Sequence, residues 1–145
     1  MKTVKQLLQA KPSDIWSIAP DAPVYDALKL MADKNIGALL VLEAGKLVGI
    51  ISERDYARKL ILKGKTSKDT PVREVMTTQV VYIRPEQTIE ECMALIITKH
   101  IRHLPVLADD QLVGIVSIRD VVKDIISEKE FLIQQLENYI TNNTM

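Results

Sequence analysis

Apolar positions along the chain recur with two different periods, and the order in which those periods follow each other occurs twice. Val24, Ala27, Leu28 and Met31 fall three and four apart, the spacing of one helix face, and so do Ile89, Cys92, Met93 and Ile96. Ahead of each helix lies a short piece rich in β-branched or aromatic residues, 16–18 and 80–83, which predicts a strand. Behind the first helix, apolar runs at 38–42 and 47–51 flank Glu43-Ala44-Gly45-Lys46. Behind the second, runs at 104–107 and 112–116 flank Ala108-Asp109-Asp110-Gln111. Two apolar runs around a short polar turn predict a hairpin. A further helix is expected to begin near Ser52 and near Ser117, so the unit reads β-α-β-β-α. Pro23 suits a first helical turn, and Thr88 with Glu91 has the form of a capping box.

The two units superimpose without a gap. Gly49 aligns with Gly114 at an offset of 65, and the same offset pairs Pro20 with Pro85, Ile36 with Ile101, Val41 with Val106, Ser52 with Ser117 and Asp55 with Asp120. Over 20–55 against 85–120, 14 of 36 positions are identical, which makes an internal duplication the simplest account. The expected organisation is a first repeat over 1–62, a polar linker over 63–71, a second repeat over 72–126 and a helical extension over 127–145. Residues 4–8 and 72–76 resemble matching helical lead-ins, with their spacing shifted by three. After Asp120 a helix is expected to run to about Ile140, where Phe131, Leu132, Leu136, Tyr139 and Ile140 keep an apolar stripe. That stripe suits either docking on its own repeat or contact with a second copy. The expected fold class is α/β (α+β), two repeats packed as a pseudo-two-fold pair.

Each repeat carries one signature at its strand-to-helix junction: Gly49-Ile50-Ile51-Ser52-Glu53-Arg54-Asp55 and Gly114-Ile115-Val116-Ser117-Ile118-Arg119-Asp120. Ser with an acid three residues on is a capping pattern, and a well-capped helix accounts for those two residues by itself. The same geometry suits a ligand. A helix start offers free amide N–H groups to a phosphate, Arg adds a fork of donors, and Asp is an acceptor for the hydroxyls of a ribose. Retention of Arg in both copies is the detail that capping does not explain.

Composition narrows the classes. The 145 residues are 47% hydrophobic but only 4% aromatic, so aliphatic side chains must do most of the packing. Nineteen basic and nineteen acidic residues balance to a formal charge of zero, which argues against a whole-chain attraction to nucleic acid or an anionic membrane. One cysteine, Cys92, cannot form an internal disulfide and fits a reducing cytoplasmic compartment. No signal-peptide pattern and no run of roughly 20 apolar residues is present, so a soluble protein is expected.

On these residues the chain resembles a tandem pair of CBS domains, the regulatory unit also called a Bateman module. The resemblance covers roughly residues 1–125. It rests on the repeated unit order, the Gly-hydrophobic-hydrophobic-Ser/Thr-x-x-Asp motif in both copies, and Arg102-His103-Leu104-Pro105-Val106 in the second. It implies a non-catalytic sensor of adenine nucleotides, commonly AMP, ADP or ATP, bound in clefts between the copies. It also implies a disc-like homodimer. By that resemblance Asp55 and Asp120 would hold ribose, and Ser52, Arg54, Ser117 and Arg119 would lie near phosphate. Arg102 and His103 would contact phosphate, and Ile18 and Ile83 would flank adenine.

The copies differ opposite that basic pair, where the first has Gly37 and Ala38. The expectation is therefore AMP at an Asp120 cleft, with the Asp55 cleft empty or taking a different ligand, NAD(H) among them. No catalytic or transporter domain is visible in these residues, so the effector is expected to be a separate chain. An enzyme is disfavoured, since no nucleophile, base and orienting group stand together. His100 and His103 lack the companions of a metal site, and Cys92 reads as a small core residue. The competing account is an interaction protein whose motifs only cap helices.

Overall fold

The structure, a computed structural model, describes residues 2–10 and 15–143; the outermost ends of the expected first repeat and of the C-terminal extension lie outside the described residues. Helix α1 (Val4–Ala10) precedes the first unit, which contains β1 (Ser17–Ile18), α2 (Val24–Lys34), β2 (Ala38–Glu43), β3 (Lys46–Ser52) and α3 (Glu53–Lys59). The second contains α4 (Ile89–Lys99), β4 (His103–Ala108), β5 (Gln111–Ser117) and α5 (Ile118–Asn143). The fold is mixed α/β, with a three-stranded sheet ordered β1-β2-β3 and a two-stranded sheet β4-β5.

The hairpins agree in detail. Glu43 pairs with Lys46 and Ala108 with Gln111, leaving two-residue loops in which Ala44, Gly45, Asp109 and Asp110 all have positive φ. That conformation matches the twist of a tight hairpin. Both hairpins shift register at the same place, after Val41 and after Val106. Helices α2 and α4 also stop alike, with Asn35 and His100 at equivalent positions and φ of 54° and 55°. His100 is thus a helix-ending residue, held in the left-handed region by the cap.

Four local expectations are corrected. The strand expected at 80–83 is reduced to a single parallel bridge between Ile83 and Val106, while its counterpart forms β1, pairing Ser17 with Leu40 and Ile18 with Val41. Pro105 supplies the reason. In the first copy Leu40 N–H donates to Trp16 O at 3.4 Å, but Pro105 stands at the equivalent position and has no N–H to donate. The lead-in expected as a helix over 72–76 is only a 3₁₀ turn, Val72–Glu74. Pro23 is the N-cap of α2, with ψ of 146°, rather than a residue of its first turn. At α4 half of the capping box forms: Glu91 N–H donates to Thr88 Oγ1, while the Glu91 carboxylate accepts from Gln87 Nε2.

The linker has a structural task. Val24 N–H donates to Thr70 O and Tyr25 N–H to Ser67 O, each at 2.9 Å. Its carbonyls therefore satisfy amides that the start of α2 would leave unpaired.

Packing does not follow sequence order. One core gathers Val24, Ala27, Met31, Leu39, Val41 and Ile51 of the first copy, together with Val72 and Val75 from beyond the linker. The other gathers Ile83, Ile89, Cys92, Leu104, Val116 and Val121, together with Val4 and Leu7 of α1. Each lead-in has crossed to the other copy, and the backbone bonds are matched. Val72 N–H donates to Ala22 O as Val4 N–H does to Gln87 O, both at 2.8 Å, and Arg73 N–H to Pro20 O as Lys5 N–H to Pro85 O.

This exchange explains the glycine of the repeated signature. A methyl group at Gly49 would lie 2.7 Å from Met76 Sδ and 3.0 Å from Thr77 O, and one at Gly114 would lie 2.9 Å from Leu8 Cδ2. The lead-ins press on the two strands where only hydrogen leaves room.

Candidate functional site

Two signatures that look identical in sequence are built alike at their caps. Ser52 N–H donates to Asp55 Oδ2 at 3.0 Å, and Asp55 N–H donates back to Ser52 Oγ at 3.1 Å. Ser117 and Asp120 exchange the same two bonds at 3.0 and 3.2 Å. Capping therefore accounts for one oxygen of each carboxylate.

The other oxygen of Asp55 faces a second set of groups. Asp55 Oδ1 accepts from Thr77 Oγ1 at 3.3 Å and pairs with Lys59 Nζ at 3.2 Å, and Lys59 also donates to Thr77 Oγ1. Thr77 arrives with the exchanged lead-in, whose backbone pairs with Ile50 through Thr77 N–H to Ile50 O at 2.8 Å. Sequence reasoning missed both partners. Lys59 was legible as a basic residue one helical turn after Asp55; Thr77 carried no signal, because its approach depends on the exchange.

These groups line a cavity of about 930 Å³. Its polar wall holds Ser52, Arg54, Asp55, Arg58, Lys59 and Thr77 from one side and Arg102 and His103 from the other. Its apolar wall includes Ala38, Ile50, Val80, Val81 and Ile101. Four Arg or Lys side chains stand against the two carboxylates of Glu53 and Asp55. A neutral chain thus concentrates positive charge in one concave site, where field lines from low-dielectric walls are focused. An apolar wall beside convergent polar groups is the usual make-up of a small-molecule site.

The sequence places Arg102 and His103 near Asp120, and Gly37 and Ala38 in their place near Asp55; the structure keeps His103 within the influence of Asp120 and adds a second neighbourhood. All four residues line the one cavity with Asp55. Pseudo-two-fold packing brings the equivalent hairpin starts together across the axis, so His103 lines the Asp55 cavity while still feeling the charge of Asp120. Ser117, Arg119 and Asp120 are not among the residues lining this cavity; they stand at the junction of β5 and α5. Nor do the expected adenine-flanking residues line it. Ile83 is fully buried in the second core, and Ile18 packs against the first. Val80 and Val81, three and two positions before Ile83, reach the cavity instead.

His103 is tuned by this position. Burial pushes its pKa below the ordinary imidazole value, Asp120 pulls the other way, and Arg102 adds to the lowering. A neutral imidazole beside Arg102 can donate one hydrogen bond, and it can gain a proton when an anion enters.

The equivalents of Lys59 and Asp55 in the second copy carry a different balance. Lys59 corresponds to Asp124, which is buried and paired with Lys2 Nζ at 2.6 Å. A cation beside the first Asp is thus replaced by an anion beside the second.

Elsewhere, burial raises the Cys92 thiol to about 11, with Glu91 adding to the rise, so it is a protonated core residue at neutral pH. Among the described residues no group of three or more His, Cys, Asp and Glu converges as a metal site would require. No helix among them is long and apolar enough to cross a membrane.

Comparison with known proteins gives matches over both units. A family model for the CBS domain matches residues 4–62 and 72–127. The "CBS domain-containing protein CBSX3, mitochondrial" of Arabidopsis thaliana is 41% identical over 136 residues, covering 90% of this chain and 66% of its own length. A putative signal-transduction protein with CBS domains from Burkholderia ambifaria is 49% identical, with a TM-score of 0.85 over 87% of this chain and 95% of that one. The CBS domain pair of protein MJ0100, solved in complex with 5-methylthioadenosine and S-adenosyl-L-methionine, is 25% identical, with a TM-score of 0.77 over 88% of this chain and 98% of that one.

Proposed function

The chain belongs to the CBS domain family as a tandem pair, a regulatory module, and from that premise we propose that it is a non-catalytic sensor of adenine nucleotides. The ligand site in this reading is the cavity at Asp55. The observation that carries it is the meeting of two carboxylates, four Arg or Lys side chains, His103 and an apolar wall in a single cleft. Asp55 Oδ1 would take the ribose hydroxyls in place of Thr77 or Lys59. Arg102, His103 and Arg58 would take phosphate oxygens, and Val80, Val81 and Ile101 would flank the base. A structural neighbour in complex with two adenosine compounds supports the adenosine part of the ligand. The excess of basic groups favours phosphate over the sulfonium of such compounds.

In this reading Asp120 caps α5, and the chain takes one anionic nucleotide. AMP is the smallest candidate. The volume of about 930 Å³, near the upper end for ligand pockets, also favours ADP, ATP or NAD(H) as an alternative. Binding would favour one arrangement of the two copies over another, because Asp55 and Arg102 come from different copies and share the ligand. An effector protein would read that arrangement, in a reducing compartment such as the cytosol that suits the buried thiol.

Calorimetric titration with adenosine, AMP, ADP, ATP, NADH and S-adenosylmethionine tests the reading. Tighter binding of the phosphorylated compounds at one site per chain is expected, weakened in both Asp55→Ala and Arg102→Ala. Absence of binding by any of them, or binding indifferent to both substitutions, would overturn it and leave an interaction protein with capped helices.

A further inference from the structure

Helix α5 is covered along its start and bare along its end. Val121 is buried in the second core, with Ile118 and Ile125 packed against it. Further on, Ile126, Leu132, Ile133, Leu136, Tyr139 and Ile140 are 51–68% exposed. These residues lie on the same side of the helix as the part that touches the core, so the apolar seam continues past the end of its own support. The docking on its own repeat weighed from sequence does not extend to them.

The spacing of the seam is that of a two-helix pairing. Val122, Ile125, Lys129, Leu132, Leu136 and Tyr139 are separated alternately by three and four residues, a 3.5-residue period. Ile126, Ile133 and Ile140 repeat every seven along one flank. We propose that this seam pairs antiparallel with α5 of a second copy of the chain.

Charge and register select that occupant and that direction. A parallel pair would stack Lys129 on Lys129 of the second copy inside the seam, a like-charge contact that disfavours it. An antiparallel pair centred near Gln134 puts Lys129 beside Tyr139 of the second copy, where the ammonium can lie over a ring. The same register sets Leu132 against Leu136, Ile133 against its own counterpart and Ile126 against Ile140. One surface therefore meets itself with Ile126, Leu132, Ile133, Leu136 and Ile140 matched, as an isologous contact requires, while Phe131 stays off the seam. If each fully buried side chain is worth about 200 Å², the six exposed residues offer at most roughly 700 Å² per chain. The pair then comes to about 1,400 Å², the size of a specific interface. A lipid surface fits less well, because Glu128, Glu130 and Glu137 outnumber Lys129 on this stretch, whereas surface-binding helices are rich in Lys and Arg.

The proposal does not depend on the ligand site, and it is tested on the full chain. Sedimentation velocity should give a dimer, and Leu132→Glu combined with Leu136→Glu should give a monomer that keeps its thermal transition. Mixed Leu132→Cys and Leu136→Cys chains should cross-link to each other under mild oxidation, while neither does so alone. The buried Cys92 thiol stays out of the reaction. Self-cross-linking of Leu132→Cys as the main product would indicate a parallel pair and overturn the proposal. So would a parent chain that is a monomer, or a dimer unaffected by the two glutamates. Sedimentation of the parent with anionic vesicles, abolished by the same glutamates, would assign the seam to a lipid surface and also overturn it.

Discussion

Gly37 lies against the imidazole of His103, close enough that a methyl group on Gly37 would sit 3.8 Å from His103 Cε1. The two residues start the hairpins of different copies, and their meeting puts the basic pair of the second copy into the cavity that holds Asp55 of the first. The two signature aspartates therefore have the same cap and different surroundings.

Replacing the two aspartates should separate capping from binding. Asp55→Ala and Asp120→Ala each remove a reciprocal cap and should each cost about 1 kcal/mol in denaturant unfolding. Only Asp55→Ala should weaken nucleotide binding, by roughly 10- to 100-fold in calorimetry, as expected for lost bonds to a charged acceptor.

His103 should make stability depend on pH. Its folded pKa lies below the unfolded value of about 6.5, so above pH ~6.5 both states are neutral and stability is at its full value. As pH falls through that value the unfolded chain takes up a proton that the folded chain resists, and stability falls. Urea midpoints at pH 7.5 and 5.5 should differ more in the parent than in His103→Gln.

The repeated glycines should not be equally replaceable. Gly49→Ala meets the Thr77 carbonyl as well as Met76, whereas Gly114→Ala meets only the end of the Leu8 side chain. Gly49→Ala should cost about 1–3 kcal/mol as an overpacked contact against backbone, and Gly114→Ala less, read from denaturant midpoints.

Ile83 and Val81 should exchange the roles their order in the chain suggests. Ile83→Ala empties a fully buried position and should cost about 2–5 kcal/mol, while the folded fraction binds nucleotide as before. Val81→Ala, at the cavity wall, should weaken binding with a smaller loss of stability.

A fragment ending at residue 62 should fail to fold alone. It lacks Val72 and Val75 of the first core, and its own Val4 and Leu7 belong to the second core. Circular dichroism and amide dispersion in NMR should show an unfolded chain.

Local order was legible wherever neighbours in sequence decide it. Helical spacing gave α2 and α4, alternating runs gave both hairpins, and the 65-residue offset gave the duplication that positions them. The caps at Ser52 and Ser117 followed from residues three apart. Pro105 was visible too, although its effect on the strand before it depends on which carbonyl its missing N–H would have met.

Tertiary structure alone decided who meets whom. Exchange of the lead-ins brought Thr77 to Asp55 and filled the space over Gly49, and pairing of unlike copies brought Arg102 and His103 to the same cavity. The physical reason is that sequence periodicity records which face of an element is apolar, not which of two near-identical apolar faces will cover it. In a duplicated chain that choice rests on contacts between residues far apart in sequence, such as Asp55 with Thr77, Val72 with Ala22 and Val4 with Gln87. No local pattern distinguishes one copy from the other there.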